Sequence, residues 1–463
     1  MNAILISAVW GVLMMFTGAF VKSKTVPKYL AVLGGILLFG GNAIELYTGK
    51  PFFDIDAMQM LRTGSFNLTF LAVVSGCTLI YFLLSGREME KIGSHVSEYF
   101  CLIFFVMCGV SLVSTFNTLL ILFIGIEILS IPLYVLTGIH KRNLRGNEAA
   151  LKYFLMGSFS TGLMLIGIAF IYGGTPNASF YINNILLGSA KMNPMILTGM
   201  IFLMVSMAFK VSAAPFHFWT PDVYDGAPTV ITSFMSTIVK AAGFFAFLRL
   251  FEAAFGSMHQ QWQGLIIFLT LLTLLIGNVT AVFQQSVKRM LAYSSIAQAG
   301  FMLFALFAVN DTAREGIVIY AGAYSLATIG LFGILMKLDD YTVDGFNGLG
   351  KIQPLLALTA TIFLLSLTGI PLTAGFQGKF FMLLGAIENG QALWLVIAAV
   401  IFAAISAYYY FRVIQAMYFR EPAGEVQVRW EITAGFRIML VIIAALTIII
   451  GVYPELIIGW LYR

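Results

Sequence analysis

The chain has 463 residues, 60% of them hydrophobic and only 10% charged, with a mean hydropathy of +0.93. A soluble domain is about one-quarter charged, so this composition excludes a soluble globular enzyme and belongs to an all-α polytopic membrane protein. The formal charge of +5 then describes membrane topology and gives no reason to expect a nucleic-acid partner.

Apolar runs of about twenty residues, each able to cross a hydrocarbon core of about 30 Å, recur along the chain. There are fourteen, near 3–21, 29–48, 66–86, 96–114, 117–139, 149–173, 194–217, 228–253, 262–283, 289–309, 315–337, 353–386, 391–418 and 434–460. The run 353–386 is long enough for two half-helices. MNAILISAVWGVLMMFTGAF has no basic leader and no small-residue cleavage site, so it reads as a first spanning helix. The connections leave no room for a soluble domain.

Loop charges set the expected orientation, because cations stay in the cytoplasm. One side holds Lys22, Lys24, Lys28, Arg87, Lys91, Lys141, Arg142, Arg145, Lys288, Arg289, Lys337, Lys351, Arg420 and Arg429. The other holds Lys50, Arg62, Lys191, Arg314 and Arg463. Both termini are therefore expected on the outer side. Cys77, Cys101 and Cys108 lie in or beside apolar helices, without a CxxC or Cys/His cluster. No Gly-rich nucleotide loop is present either, so no cofactor or metal is expected in this chain.

Seven cations remain: Lys152, Lys210, Lys240, Arg249, Lys379, Arg412 and Arg437. Arg249 and Arg437 lie towards helix ends, where they can snorkel, and Arg412 is placed to reach the inner headgroups. Lys152, Lys210, Lys240 and Lys379 lie deeper. Glu127, in ILFIGIEILSIPLYVL, sits at mid-helix with no polar neighbour before Ser130. An ionised lysine at mid-bilayer costs about 2.5–3.5 kcal/mol, so these groups are expected to share a hydrated or paired interior. Glu148 and Lys152, four residues apart, suit helix support and relay equally.

Proline supplies the openings. In AFKVSAAPFHFW, Pro215 frees backbone groups near Lys210, and LSLTGIPLTAGFQGKFF places Gly369, Pro371, Gly375 and Gly378 before Lys379. Broken helices in two related halves point to an ion pathway. A charged lysine offers donors only, which suits proton transfer better than sodium coordination. Moving Glu127 from about 4 to about 10 Å from a lysine changes their interaction by roughly 2.5 kcal/mol at a dielectric of 20, enough to load or release a proton. The expected chain is Glu127, Lys210, Lys240, then Lys379. Tyr293, Ser294, Ser295 and Gln298 of MLAYSSIAQAGFMLF, with Tyr324 and Tyr408–Tyr410, are bridging candidates, and His217 is a candidate entrance. Each also fits ordinary hydrogen bonding between helices.

The segment AFKVSAAPFHFWTPDVYDGAPTVITSFMSTIVK, with IEILSIPLYVL, AYSSIAQAGF and GIPLTAGFQGKF, resembles the antiporter-like membrane subunits of respiratory complex I over about 96–420. TPDVYDGAPT has the N-type form. The resemblance implies fourteen helices with two inverted five-helix repeats and broken helices 7 and 12. It divides the chain into an N-terminal three-helix segment (1–95), repeats at 96–253 and 254–420, and a C-terminal helix (421–463). It implies a place in the membrane arm of a bacterial inner-membrane NADH:quinone oxidoreductase, beside K- and M-type subunits and indirectly linked to the peripheral arm. Proton translocation there would be driven by NADH, FMN, iron–sulfur clusters and quinone held in other subunits. Glu127, Lys210, Lys240 and Lys379 match the family's lysines and glutamate on helices 5, 7, 8 and 12. Many relatives read YSSIAHAG where this chain has YSSIAQAG, so Gln298 stands in place of a titratable histidine. Two other readings share these residues: the D-type subunit of a multisubunit sodium/proton antiporter, and a non-conducting spacer of the membrane arm.

Overall fold

The computed structural model describes residues 1–21, 23, 25–56, 58–93, 95–175, 178–186, 193–388, 393–421 and 432–462, with backbone alone at 91 and 92. Lys22, Lys24, Lys191, Arg429, Arg463 and the Lys91 side chain lie outside these residues, so they leave the charge-based orientation to the remaining loop cations.

Among the described residues the chain is helical throughout, without strands. It begins with α1 (Asn2–Phe20), α2 (Val26–Thr48) and α3 (Ser65–Ile92). The first half follows as α4 (Val96–Thr115), α5 (Leu119–Thr137), α6 (Leu144–Gly174), α7 (Pro194–Lys210), α8 (Trp219–Gly226), α9 (Thr229–Phe234) and α10 (Lys240–Phe255). The second half is α11 (His259–Val282), α12 (Val287–Ala308), α13 (Asp311–Leu335), α14 (Leu349–Ile352), α15 (Pro354–Thr368), α16 (Ala374–Glu388) and α17 (Leu393–Phe419). It closes with α18 (Ala434–Val452) and α19 (Glu455–Leu461).

Every one of the fourteen apolar segments is helical. Among the described residues eleven stretches are long and apolar enough to cross a membrane, one of which, Thr229–Val282, contains two segments parted at Gly256–Met258. The shorter helices α7 and α15 belong to the two broken segments. Helix starts follow local chemistry: Thr118, Asn143, Asn193, Ser286, Asn310 and Thr433 each accept a hydrogen bond from a first-turn amide. Helices α12 and α13 are buried along almost their whole length and form the centre of the bundle.

The two halves repeat in detail. Helix α4 packs on α5 as α11 packs on α12, and α6 packs on α7 as α13 packs on α15 and α16. Ahead of α5, Leu119 N donates to Phe180 O at 2.9 Å and Ile182 N to Asn117 O at 3.1 Å. Ahead of α12, Val287 N donates to Tyr341 O at 2.7 Å and Val343 N to Gln285 O at 3.0 Å. The same two-bond clasp thus recurs one half later. Arginine repeats it: Arg249 of α10 donates to Ser114 O and Phe116 O at the end of α4, and Arg412 of α17 donates to Val282 O and Gln284 O at the end of α11. These are the orphan carbonyls that every helix C-terminus leaves, and a guanidinium satisfies two at once.

That finding corrects two expectations. Arg249 does not snorkel; it is 7% exposed and stacks 4.8 Å from Phe116. Arg412 serves α11 rather than headgroups. Arg437 is exposed, as a snorkelling residue should be. Two cations expected in loops are also interior. Lys288 is 4% exposed, and Lys337 is 5% exposed and bonded to Glu88 at 2.5 Å. Both stand at helix ends that neighbouring helices cover, a burial that linear charge counting does not register. The TPDVYDG stretch lies in the helix α8.

Candidate functional site

The two breaks are built alike but used differently. Helix α7 ends at Lys210, and the chain turns through Ser212 at φ +63° before α8. Its terminal carbonyls are taken up by the turn: Ala213 N donates to Ala208 O at 2.8 Å and Ser212 N to Phe209 O at 3.1 Å. The Trp219 indole of α8 adds a second donor to Phe209 O at 3.1 Å. Lys210 is therefore free to leave its own helix end. Its Nζ donates to Ser130 Oγ of α5 at 3.1 Å and approaches Thr161 Oγ1 of α6 at 3.4 Å. Glu127 lies one turn before Ser130 on α5, and its Oε1 is buried without a hydrogen-bond partner. Among the described residues no ion pair joins Lys210 to Glu127 within 4.0 Å. Ser130 stands at the lysine end of the gap between them.

In the second break α15 ends at Thr368 with Gly369 at φ +91°, a left-handed cap that a side chain would strain. Gly375 follows on α16, where an added Cβ would lie 1.9 Å from Ser366 O. This closeness brings Lys379 back over the end of α15. Its Nζ donates to Leu367 O at 2.7 Å and Thr368 O at 3.2 Å, and it lies 4.3 Å from the Phe301 ring. Helix C-termini carry a partial negative charge, so the ammonium is held by both geometry and field.

Lys240 opens α10 directly after a π-helical turn, Met235–Val239. It is 2% exposed and donates to Ser295 O at 3.0 Å and Ser295 Oγ at 2.9 Å, with the Tyr224 ring 5.7 Å away. A hydrogen bond from a charged group contributes about 1.5–3 kcal/mol net, so two of them offset the depth cost of one ammonium. Among the described residues none of the three deep lysines has an ion-pair partner within 4.0 Å; each is held by neutral oxygens.

Helix α12 joins Lys240 to Lys379. Gln298, one turn after Ser294 and Ser295, donates to Leu367 O at 2.9 Å, so it shares the carbonyl that holds Lys379. Its Nε2 also reaches Tyr410 OH at 3.1 Å, and its Oε1 accepts from Tyr320 OH at 2.5 Å. Ser294 Oγ pairs with the same Tyr410 hydroxyl. Gln298 is fully engaged as a clamp, while Tyr410 and the serines carry the exchangeable hydroxyls.

Tyr324 belongs to this centre: it is buried, stacks on Tyr320 at 6.1 Å and lies within hydrogen-bonding reach of Ser295, the residue that holds Lys240. Other candidates stand apart, and Tyr293 is half-buried with no bond to a deep lysine among the described residues. Tyr408 is 60% exposed and faces away from the network. His217 is 5% exposed with Nδ1 unpartnered, so it is an interior residue and not an open entrance. Lys152 is not deep: its side chain is 43% exposed and bonds Glu148 at 2.7 Å and Asp222 at 3.1 Å. Burial raises the Asp222 carboxyl, yet hydrogen bonds from Lys152 and Arg289 outweigh it and hold the group below its ordinary value. Sequence reading missed Thr161 and Tyr320, the Leu367 carbonyl and the π turn. Thr161 and Tyr320 are neutral residues within apolar helix stretches, which no motif singles out, and a carbonyl has no sequence signal.

Residues 117–406 match the model of the family described as NADH:quinone oxidoreductase/Mrp antiporter, TM. An NADH-quinone oxidoreductase subunit N from Trichlorobacter lovleyi is 39% identical, covering 98% of this chain and 93% of its own. The subunit N of Cytophaga hutchinsonii is 38% identical with 98% of both chains covered. A chain of respiratory complex I from Thermus thermophilus superposes with a TM-score of 0.84 at 32% identity, over 99% of this chain and 98% of that one. With more than half its length matched by the family model and these relatives aligned end to end, the chain belongs to the antiporter-like transmembrane subunit family of NADH:quinone oxidoreductases and Mrp antiporters.

Proposed function

We propose that the chain is the N-type subunit of the membrane arm of a respiratory NADH:quinone oxidoreductase and carries protons along Glu127, Lys210, Lys240 and Lys379. The observation that carries this reading is the state of Lys210, Lys240 and Lys379: buried or half-buried, held by neutral oxygens and, among the described residues, without a carboxylate within ion-pair distance. Lys337 differs from them, being paired with the fixed anion Glu88, and Lys288 is held by two carbonyls at the end of α8. Electron transfer would occur in neighbouring subunits that hold NADH, FMN, iron–sulfur clusters and quinone, with K- and M-type subunits flanking this one. The repeated clasps support the division into 1–95, 96–253, 254–420 and 421–463. The loop cations Lys141, Arg142, Arg145 and Lys351 favour the cytoplasmic side of a bacterial inner membrane for their loops, which would leave both termini outside.

Proteoliposomes carrying the assembled complex, native or with Lys210→Met or Lys379→Met, test this. Quinone reduction and proton pumping should both fall while native gels show full assembly. Native values of both would make the lysines structural and overturn the reading.

A further inference from the structure

The relay reading leaves unused a line of charges that alternates in sign across the two halves. Glu148 and Lys152 of α6 bond at 2.7 Å, and Lys152 bonds Asp222 Oδ2 of α8 at 3.1 Å. Asp222 turns its other oxygen, Oδ1, to Arg289 of α12 at 3.0 Å, and Arg289 lies 3.7 Å from Asp225. Asp222 thus divides one carboxylate between a cation of the first half and a cation of the second. Beside it the buried Lys288 of α12 donates to Asp225 O at 2.8 Å and Ala227 O at 2.7 Å, which fixes the end of α8. The cluster lines a cavity of about 190 Å³.

Stability is a poor explanation for the outer part of this line. Its side chains are 34–64% exposed, and pairs that wet contribute about 0–1 kcal/mol. Position explains it better. Helix α8 is the continuation of the broken segment that carries Lys210, and Trp219 at its start holds Phe209 O beside that lysine. Helix α12 carries Ser295 under Lys240 and Gln298 beside Lys379. Any displacement of α8 is therefore passed to the helix on which both other lysines rest.

We propose that the α8–α12 clasp, with Asp222 and Arg289 as positioning residues, couples the Lys210 half of the relay to the Lys240–Lys379 half. The inference rests on the relay reading. A shift of α8 when the Lys210 site changes its proton occupancy alters the hold of Asp222 on Arg289, and α12 then resets Ser295 and Gln298.

The test measures protons pumped per electron in proteoliposomes with Asp222→Asn, Arg289→Gln and Arg289→Lys complexes, alongside Lys210→Met and Lys379→Met. At native assembly, the two neutral clasp variants should lose about fivefold in that ratio, the lower end of ordinary site-to-site coupling, and Arg289→Lys should recover most of it. A merely structural contact would change assembly without moving the ratio. If the lysine variants stop pumping while the neutral clasp variants keep the native ratio, the clasp inference alone is overturned. If the lysine variants pump normally, the relay reading falls and takes the clasp with it. Should neither neutral clasp variant assemble, hydrogen exchange at 287–295 decides: it should differ between native and Lys210→Met complexes, and identical exchange overturns the proposal.

Discussion

The two broken helices share a backbone plan and differ in who satisfies the broken end. In the first half a neutral indole, Trp219, takes the Phe209 carbonyl next to the end of α7, and Lys210 reaches outward to the hydroxyls of Ser130 and Thr161. In the second half the lysine itself, Lys379, takes the last carbonyls of α15. The lysines also sit on opposite sides of their breaks, one before and one after. A cation held by a helix terminus is fixed in place, whereas one held by side-chain hydroxyls can swing towards a carboxylate. On the proposed relay, Lys210 would make the movable step and Lys379 the anchored one.

The sharpest way to break the second half is Gly375→Val, because the Cβ position is already occupied by Ser366 O. Separation of α15 from α16 should cost more than the about 1–3 kcal/mol of ordinary overpacking, and assembly on native gels should fail. Lys379→Met should come next. It strips two helix-end carbonyls of a charged donor and should cost about 2–4 kcal/mol in thermal unfolding of the assembled complex, while Lys210→Met costs less than half of that. Equal losses at the two lysines would erase the distinction drawn between them. Gln298→Leu leaves Tyr320 OH and one bond to Leu367 O unmet, and should destabilise by about 1–3 kcal/mol in the same assay. Trp219→Phe removes one neutral hydrogen bond and shortens a buried ring stacked on Tyr153, and should cost about 1–2 kcal/mol. The smallest effect concerns pH. The Asp222 carboxyl is held below its ordinary value, so its contribution is complete above that ordinary value and is lost only as pH falls through the lowered one. The stability difference between native and Asp222→Asn complexes should therefore stay constant from about pH 5 to 8, and a decline across that window would contradict the pairing.

Much of this was legible in the residues. The depth of Glu127, Lys210, Lys240 and Lys379 follows from apolar runs that exceed a bilayer's thickness, and Pro215 and Pro371 mark the breaks because proline cannot donate to the helix. Depth along a segment was legible; depth within the bundle was not. Lys152 looked interior and stands at an edge, while Lys288, Lys337 and Arg249 looked peripheral and are covered. The reason is that linear hydropathy measures distance along one helix, and burial depends on which neighbour lies across it. The clamp at Gln298 was equally hidden: its departure from histidine was visible, but its three partners come from α13, α15 and α17.

By itself the sequence determined the solvent, the number of helical segments, the places where helices must break and the charges that membrane depth makes expensive, since each depends on composition and spacing along one strand of chain. Tertiary structure alone decided which carbonyl, hydroxyl or carboxylate each charge meets. Those partners lie on other helices, often more than fifty residues away, and only packing brings their atoms within a hydrogen bond's reach.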